Sequence, residues 1–233
     1  MGNPQQLFSN ITWEKVRDKV KTLPGRLGFG KGDRLEFFGF VLDLESGAIY
    51  DNVLERRLSD AEAMRVYIIL SLYAETVEDV GESGELIPLD RGVCPFIHEP
   101  SLRSYVDAIA EIFGGNPATL YSAAEPFGYV KIELGDAAVK IYTLPRVPLV
   151  LVVWSGEEGI PPKAQILLDK NSAYYLSSDA IVRCRASEML SLMLVSRLIL
   201  RVAKILGIDA SSIEFVSIAE INRIIQTILR KQN

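Results

Sequence analysis

The chain has 233 residues, of which 48% are hydrophobic and 24% charged, and its formal net charge is −5. That is the composition of a folded globular protein and excludes a disordered or low-complexity chain. An acidic balance with scattered Lys and Arg argues against nucleic-acid binding. The greasiest run, Met189 to Leu206, carries Arg197, Arg201 and Lys204, so it is expected to be a core helix and not a membrane span.

The only cysteines are Cys94 and Cys184, too few for a disulfide scaffold. Residues Met1 to Asn10 are polar and lack the apolar stretch of a secretory signal. Together these features lead to the expectation of a cytoplasmic protein.

In chain order, the first helix is expected from Thr12 to about Leu23, ended by Pro24-Gly25. After a glycine-rich loop, Arg34 to Leu44 and Ala48 to Asn52 read as the two strands of a hairpin around Glu45-Ser46-Gly47. Ser59 and Glu62 form a capping box that opens a helix with Met64, Tyr67, Ile68 and Leu72 on one stripe. A short strand is expected at Leu86 to Leu89. A second amphipathic helix bears Leu102, Val106, Ile109 and Phe113 and ends at Gly114-Gly115. Asn116-Pro117 should cap a short helix.

Three further strands follow at Tyr129 to Leu134, Ala137 to Leu144 and Pro148 to Trp154. The unbroken apolar run Leu149 to Val153 predicts a central strand covered on both faces. Another strand is expected at Ala164 to Leu168. Ser177-Ser178 should start a long helix reaching Leu206, with Arg197, Arg201 and Lys204 on its polar face. Ser217 and Glu220 form a second capping box ahead of a terminal helix striped by Ile221, Ile224, Ile225 and Ile228. Hairpins with helices grouped around them imply an α+β fold, with a mixed or mainly antiparallel sheet of about six strands. Residues 1–207 are expected as one domain, and 208–233 as a helical extension that docks on the long helix or on a second copy.

Three constellations bear on chemistry. Gly25 to Gly32 approaches a phosphate-binding loop, but Lys31 is followed by glycine and the loop runs from helix to strand, the reverse of the required order. It reads as a connector. Cys94 and His98 are four apart, yet zinc needs three or four ligands, His98 is the only histidine, and Cys184 is remote in sequence. No metal site and no cofactor are therefore expected in this chain. The richest segment runs from Trp154 to Asp169: a tryptophan closes the buried strand, Glu157 and Glu158 sit in a turn, and Pro161-Pro162 stiffen the path into the next strand. Gln165 and Asp169 share a face of that strand. Trp154, Glu157, Glu158, Gln165 and Asp169 are the candidate ligand-binding residues.

The same segment, Trp154-Ser-Gly-Glu-Glu-Gly-Ile-Pro-Pro-Lys-Ala-Gln-Ile-Leu-Leu-Asp169, resembles the signature of a prokaryotic domain family of unknown function. Its members read W-x-G-D-E-E-F-P-P-x-A-x-I-L-F-D, then a short helix entry. Here Glu157 replaces Asp, Gly159 replaces the second Glu and Ile160 replaces Phe, which thins the acidic run. The resemblance extends over residues 12 to 206 by pattern. Relatives occur beside or fused to iron–sulfur modules in anaerobes, which implies a redox or corrinoid-related setting and an iron–sulfur partner. The leading expectation is an accessory or ligand-binding domain working with such a partner, as monomer or homodimer. The alternatives are an interaction module dimerising through its terminal helices, and a carboxylate enzyme acting on a small substrate.

Overall fold

The computed structural model describes residues 10–94 and 100–232. Helix α1 (Trp13–Val20) leads into a meander of short strands, β1 (Arg34–Phe37), β2 (Phe40–Asp43), β3 (Ile49–Asp51) and β4 (Arg56–Arg57), paired antiparallel in sequence order. The run 34–44, expected as one strand, is itself a hairpin. Phe38 (φ 52°) and Gly39 (φ 75°) form its two-residue turn, which needs positive φ at both positions. The expected turn at Glu45-Ser46-Gly47 joins β2 to β3, and Asp43 Oδ1 accepts from both the backbone N–H and the hydroxyl of Ser46. A Cβ on Gly47 (φ 77°) would stand 2.3 Å from the Trp13 ring, so this turn can approach α1 only as glycine.

Helix α2 (Asp60–Ala74) opens with the predicted capping box, both of whose hydrogen bonds form. A second antiparallel sheet, in the order β5-β9-β8-β7-β6, comprises β5 (Leu86–Pro88), β6 (Tyr129–Lys131), β7 (Ala137–Leu144), β8 (Val147–Trp154) and β9 (Lys163–Asp169). The fold is thus α+β and antiparallel, with its strands in two sheets of four and five. Strand β8 is central and buried up to Val153. Leu149, Leu151 and Val153 face the main core, while Val150 and Val152 meet Ala138 on the other face.

Helices α3 (Pro100–Gly114), α4 (Thr119–Ala124) and α5 (Ser172–Leu176) pack on the core side of this sheet. The long helix α6 (Ala180–Ile205) touches α2, α3, α4 and α5, and α7 (Ile218–Gln232) lies against α3 and α6. Asp179, rather than Ser177 or Ser178, caps α6, accepting from the N–H groups of Ile181 and Val182. The α7 stripe Ile221, Ile224, Ile225 and Ile228 is buried in the same core as Trp13 and β8. Each such side chain contributes roughly 1.5–3 kcal/mol when fully buried.

Arg197 departs from the expected polar face, because α6 is enclosed on nearly every side and this residue is fully buried. Its guanidinium donates to Asp51 through Nε (2.8 Å) and Nη2 (2.7 Å), and to the Phe38 carbonyl through Nη1 (2.8 Å). It lies 3.9 Å from the Phe40 ring centre, 4.5 Å from that of Phe38 and 5.0 Å from that of Phe127. Burial pulls its pKa down, and Asp51 opposes that shift. Asp51 Oδ1 also accepts from the N–H groups of Val53 and Leu54, so one carboxylate ties α6 to the turn after β3. Nearby, buried Glu62 takes a bidentate pair from Arg56 (2.7 Å each) and accepts from the Phe215 N–H (2.9 Å). Arg56 also donates to the Ile213 carbonyl. These bonds fasten the segment before α7 to β4 and α2. Among the described residues, no helix is long and apolar enough to cross a membrane.

Candidate functional site

The residues selected from sequence are only partly brought together. Trp154 pairs with Lys163 across β8 and β9, and Val152 with Gln165, so Trp154 and Gln165 share the sheet face turned away from the main core. The Lys163 ammonium lies 5.9 Å from the Trp154 ring centre. Glu157 and Glu158 are exposed in the turn beyond, which closes through reciprocal backbone bonds between Glu157 and Ile160.

Asp169 lies on the same sheet face but at the opposite end of β9, and it is 1% exposed. Its carboxylate accepts from the backbone N–H groups of Ser83 (3.0 Å), Gly84 (2.7 Å) and Asn171 (2.9 Å), and from the Ser83 hydroxyl. Burial alone would raise its pKa, but the N–H donors of Ser83, Asn171 and Gly84 outweigh it and hold the group below the usual carboxylate range. In this setting Asp169 clamps the loop ahead of β5 to the end of β9.

That loop carries a second ionic group. Arg146 donates to both oxygens of Asp79, and the Tyr175 hydroxyl donates to Asp79 Oδ1 (2.7 Å). The Arg146 hydrogen bonds bring the Asp79 pKa to about 2, with Tyr175 reinforcing the effect against desolvation. Desolvation and the bond to Asp79 push Tyr175 up to about 12. A surface cavity of about 380 Å³ lies elsewhere, between the start of α1, the β2–β3 turn and α2, with Glu14, Arg57 and Asp60 on its walls. None of Trp154, Glu157, Glu158, Gln165 and Asp169 lines it.

The chemically distinctive cluster is one that sequence spacing had set aside. A single π-helical turn, Leu89–Val93, follows β5 and packs on α6; it ends where the Cys94 N–H bonds to the Leu89 carbonyl (2.8 Å). The turn presents Cys94 to α6, where Cys184 and Glu188 stand one helical turn apart on one face. Cys94 and Cys184 are joined as a disulfide with Cα atoms 5.0 Å apart, across 90 residues of sequence. Glu188 Oε1 lies 3.5 Å from Cys94 Sγ. The two sulfurs and a carboxylate oxygen all fall within 4.8 Å of one another. Cys94 is 0%, Cys184 6% and Glu188 3% exposed. His98, paired with Cys94 in the sequence reading, lies outside the described residues. The signal that could have found this cluster is the matched spacing of Cys184 and Glu188 on one helical face, read together with the only other cysteine.

An antiparallel α+β protein with a buried cysteine pair beside a carboxylate is the class these features define. Residues 35–189 match the family described as Domain of unknown function (DUF3786), and the chain belongs to that family. Both cysteines and Glu188 fall inside the matched stretch; Arg197 and α7 fall outside it. Comparison with curated proteins and with solved structures returned no match.

Proposed function

We propose that the protein is an accessory domain of a redox system and that the Cys94–Cys184 pair is its working centre. One observation carries this reading: the chain has two cysteines, distant in sequence, and the fold delivers both to one point beside Glu188. The chemistry is a two-electron, two-proton couple. The Sγ–Sγ bond breaks, and each sulfur takes an electron and a proton. The reductant is a dithiol, or two one-electron equivalents from a reduced iron–sulfur protein, the partner that the resemblance implies. Burial of both sulfurs limits the rate at which a bulky thiol can attack, and the reduction potential decides whether the couple works.

The test is an anaerobic redox titration of the whole chain in dithiol/disulfide buffers, with thiols counted by alkylation and mass. A functional couple is expected to titrate reversibly above about −300 mV, whereas purely structural disulfides lie below that value. A pair that stays oxidised at more reducing poise would refute the reading. A reduced ferredoxin-type protein serves as the partner probe, and it is expected to reduce the pair in the wild type only.

A further inference from the structure

We infer that the reduced pair is a metal site: Cys94 Sγ, Cys184 Sγ and a Glu188 carboxylate oxygen together bind one divalent ion of the zinc or ferrous class. This inference rests on the redox reading in one respect, namely that the disulfide opens under reducing conditions. The donor set is the argument. Two thiolates select borderline ions such as Zn²⁺ and Fe²⁺ over Mg²⁺ and Ca²⁺, and a carboxylate completes three of the four positions of a tetrahedral ion. The three donor atoms already lie within 4.8 Å of one another. They come from two elements in contact, the π-helical turn and the first half of α6, so no long-range movement is needed to close them on an ion. Cys184 and Glu188 sit four apart on the helix, a spacing at which two side chains reach a common point.

Geometry makes the ion and the disulfide exclusive. Two sulfurs bound to a tetrahedral ion at ~2.3 Å stand ~3.8 Å apart, too far to share a bond. The balance is explicit. Reduction by a dithiol gives two protein thiols and the partner's disulfide. Binding then exchanges the two thiol protons for the ion, giving a dithiolate–carboxylate complex and two protons in solution. Oxidation to the disulfide returns two electrons to an acceptor disulfide and expels the ion. The burial of all three donors gives the ion a largely dry setting, in which thiolate coordination is strong and exchange slow.

The experiment uses the full chain, reduced anaerobically with a phosphine and freed of reductant, titrated with Co²⁺ as an optical probe and then with Zn²⁺ in competition. The expected result is a near-ultraviolet sulfur-to-cobalt charge-transfer band that saturates at one ion per chain and is erased by Zn²⁺. Oxidised protein should bind none. Cys184→Ser should lose the band, with circular dichroism reporting whether it is folded. Glu188→Gln, which keeps both thiolates, should retain the band but bind at least about tenfold more weakly. A reduced wild type whose two thiols titrate but which shows no band overturns the metal site and leaves the redox couple standing. A band together with a pair that never re-forms its disulfide overturns the redox reading and leaves the metal site standing. Unchanged affinity in Glu188→Gln would remove Glu188 from the ligand set and overturn the three-donor site.

Discussion

Replacing Arg197 with Met strips Asp51 of its cation while leaving an unbranched apolar chain between the Phe38, Phe40 and Phe127 rings. Methionine fills much of the vacated space, so the cavity term stays small. The dominant loss comes from Asp51, which is 0% exposed and now faces the core as an unpaired charge. Breaking a buried pair from one side costs about 3–5 kcal/mol, against a total stability of about 5–15 kcal/mol for a domain. Adding Asp51→Asn removes that charge. The new side-chain carbonyl can keep the bonds that Oδ1 accepts from Val53 (2.8 Å) and Leu54 (3.1 Å), so the turn after β3 survives. Only neutral polar groups are then left to re-pair, so the double variant should recover about half or more of the single variant's loss. Urea denaturation followed by far-ultraviolet circular dichroism reads both numbers. An Arg197→Met protein as stable as the wild type would refute this account, and so would a double variant no more stable than the single one.

Three further outcomes follow from contacts already described. Glu62→Ala removes the acceptor shared by Arg56 and the Phe215 N–H and should cost about 3–5 kcal/mol. Amide exchange should show Phe215 losing protection ahead of β8, and protection lost equally at both would count against the link. Ile225→Ala should cost about 2–5 kcal/mol. Asn222→Ala, on the exposed side of α7, should stay within about 0.5 kcal/mol, and equal losses would mean that α7 is not docked as described. Asp79, with its pKa lowered from 3.8 to about 2, adds stability that is fully present above pH 3.8 and fades as pH falls through 2. Asp79→Asn should therefore flatten the acid side of the stability profile between those values, whereas parallel profiles would exclude the pair as the cause.

What was legible in the sequence was local. The Ser59–Glu62 box, the run 149–153 and the isoleucine stripe of α7 each declare themselves within about one or two turns of chain, and the structure bears them out. Phe38-Gly39 was hidden because phenylalanine seldom takes positive φ; here its carbonyl and ring are held by Arg197, a residue 159 positions away. Arg197 itself read as a solvent-facing charge because its partner Asp51 is 146 residues distant. The cysteine pair failed for the same reason, since spacing says nothing about two residues that only the folded sheet and α6 bring together. In the Trp154–Asp169 segment, periodicity placed Gln165 and Asp169 on one face of the strand, as β9 has them. It could not show that Ser83 and Gly84, in the loop ahead of β5, donate to Asp169.

The matched stretch ends at residue 189, eight positions before Arg197, so part of what completes the interior lies beyond it. Asp51 and Glu62 lie within the matched stretch, whereas the guanidinium that pairs with the first and the Phe215 amide that bonds the second come from beyond it. A fragment cut to 35–189 would leave Asp51 without its cation, whereas Glu62 would keep Arg56 and lose only the Phe215 amide.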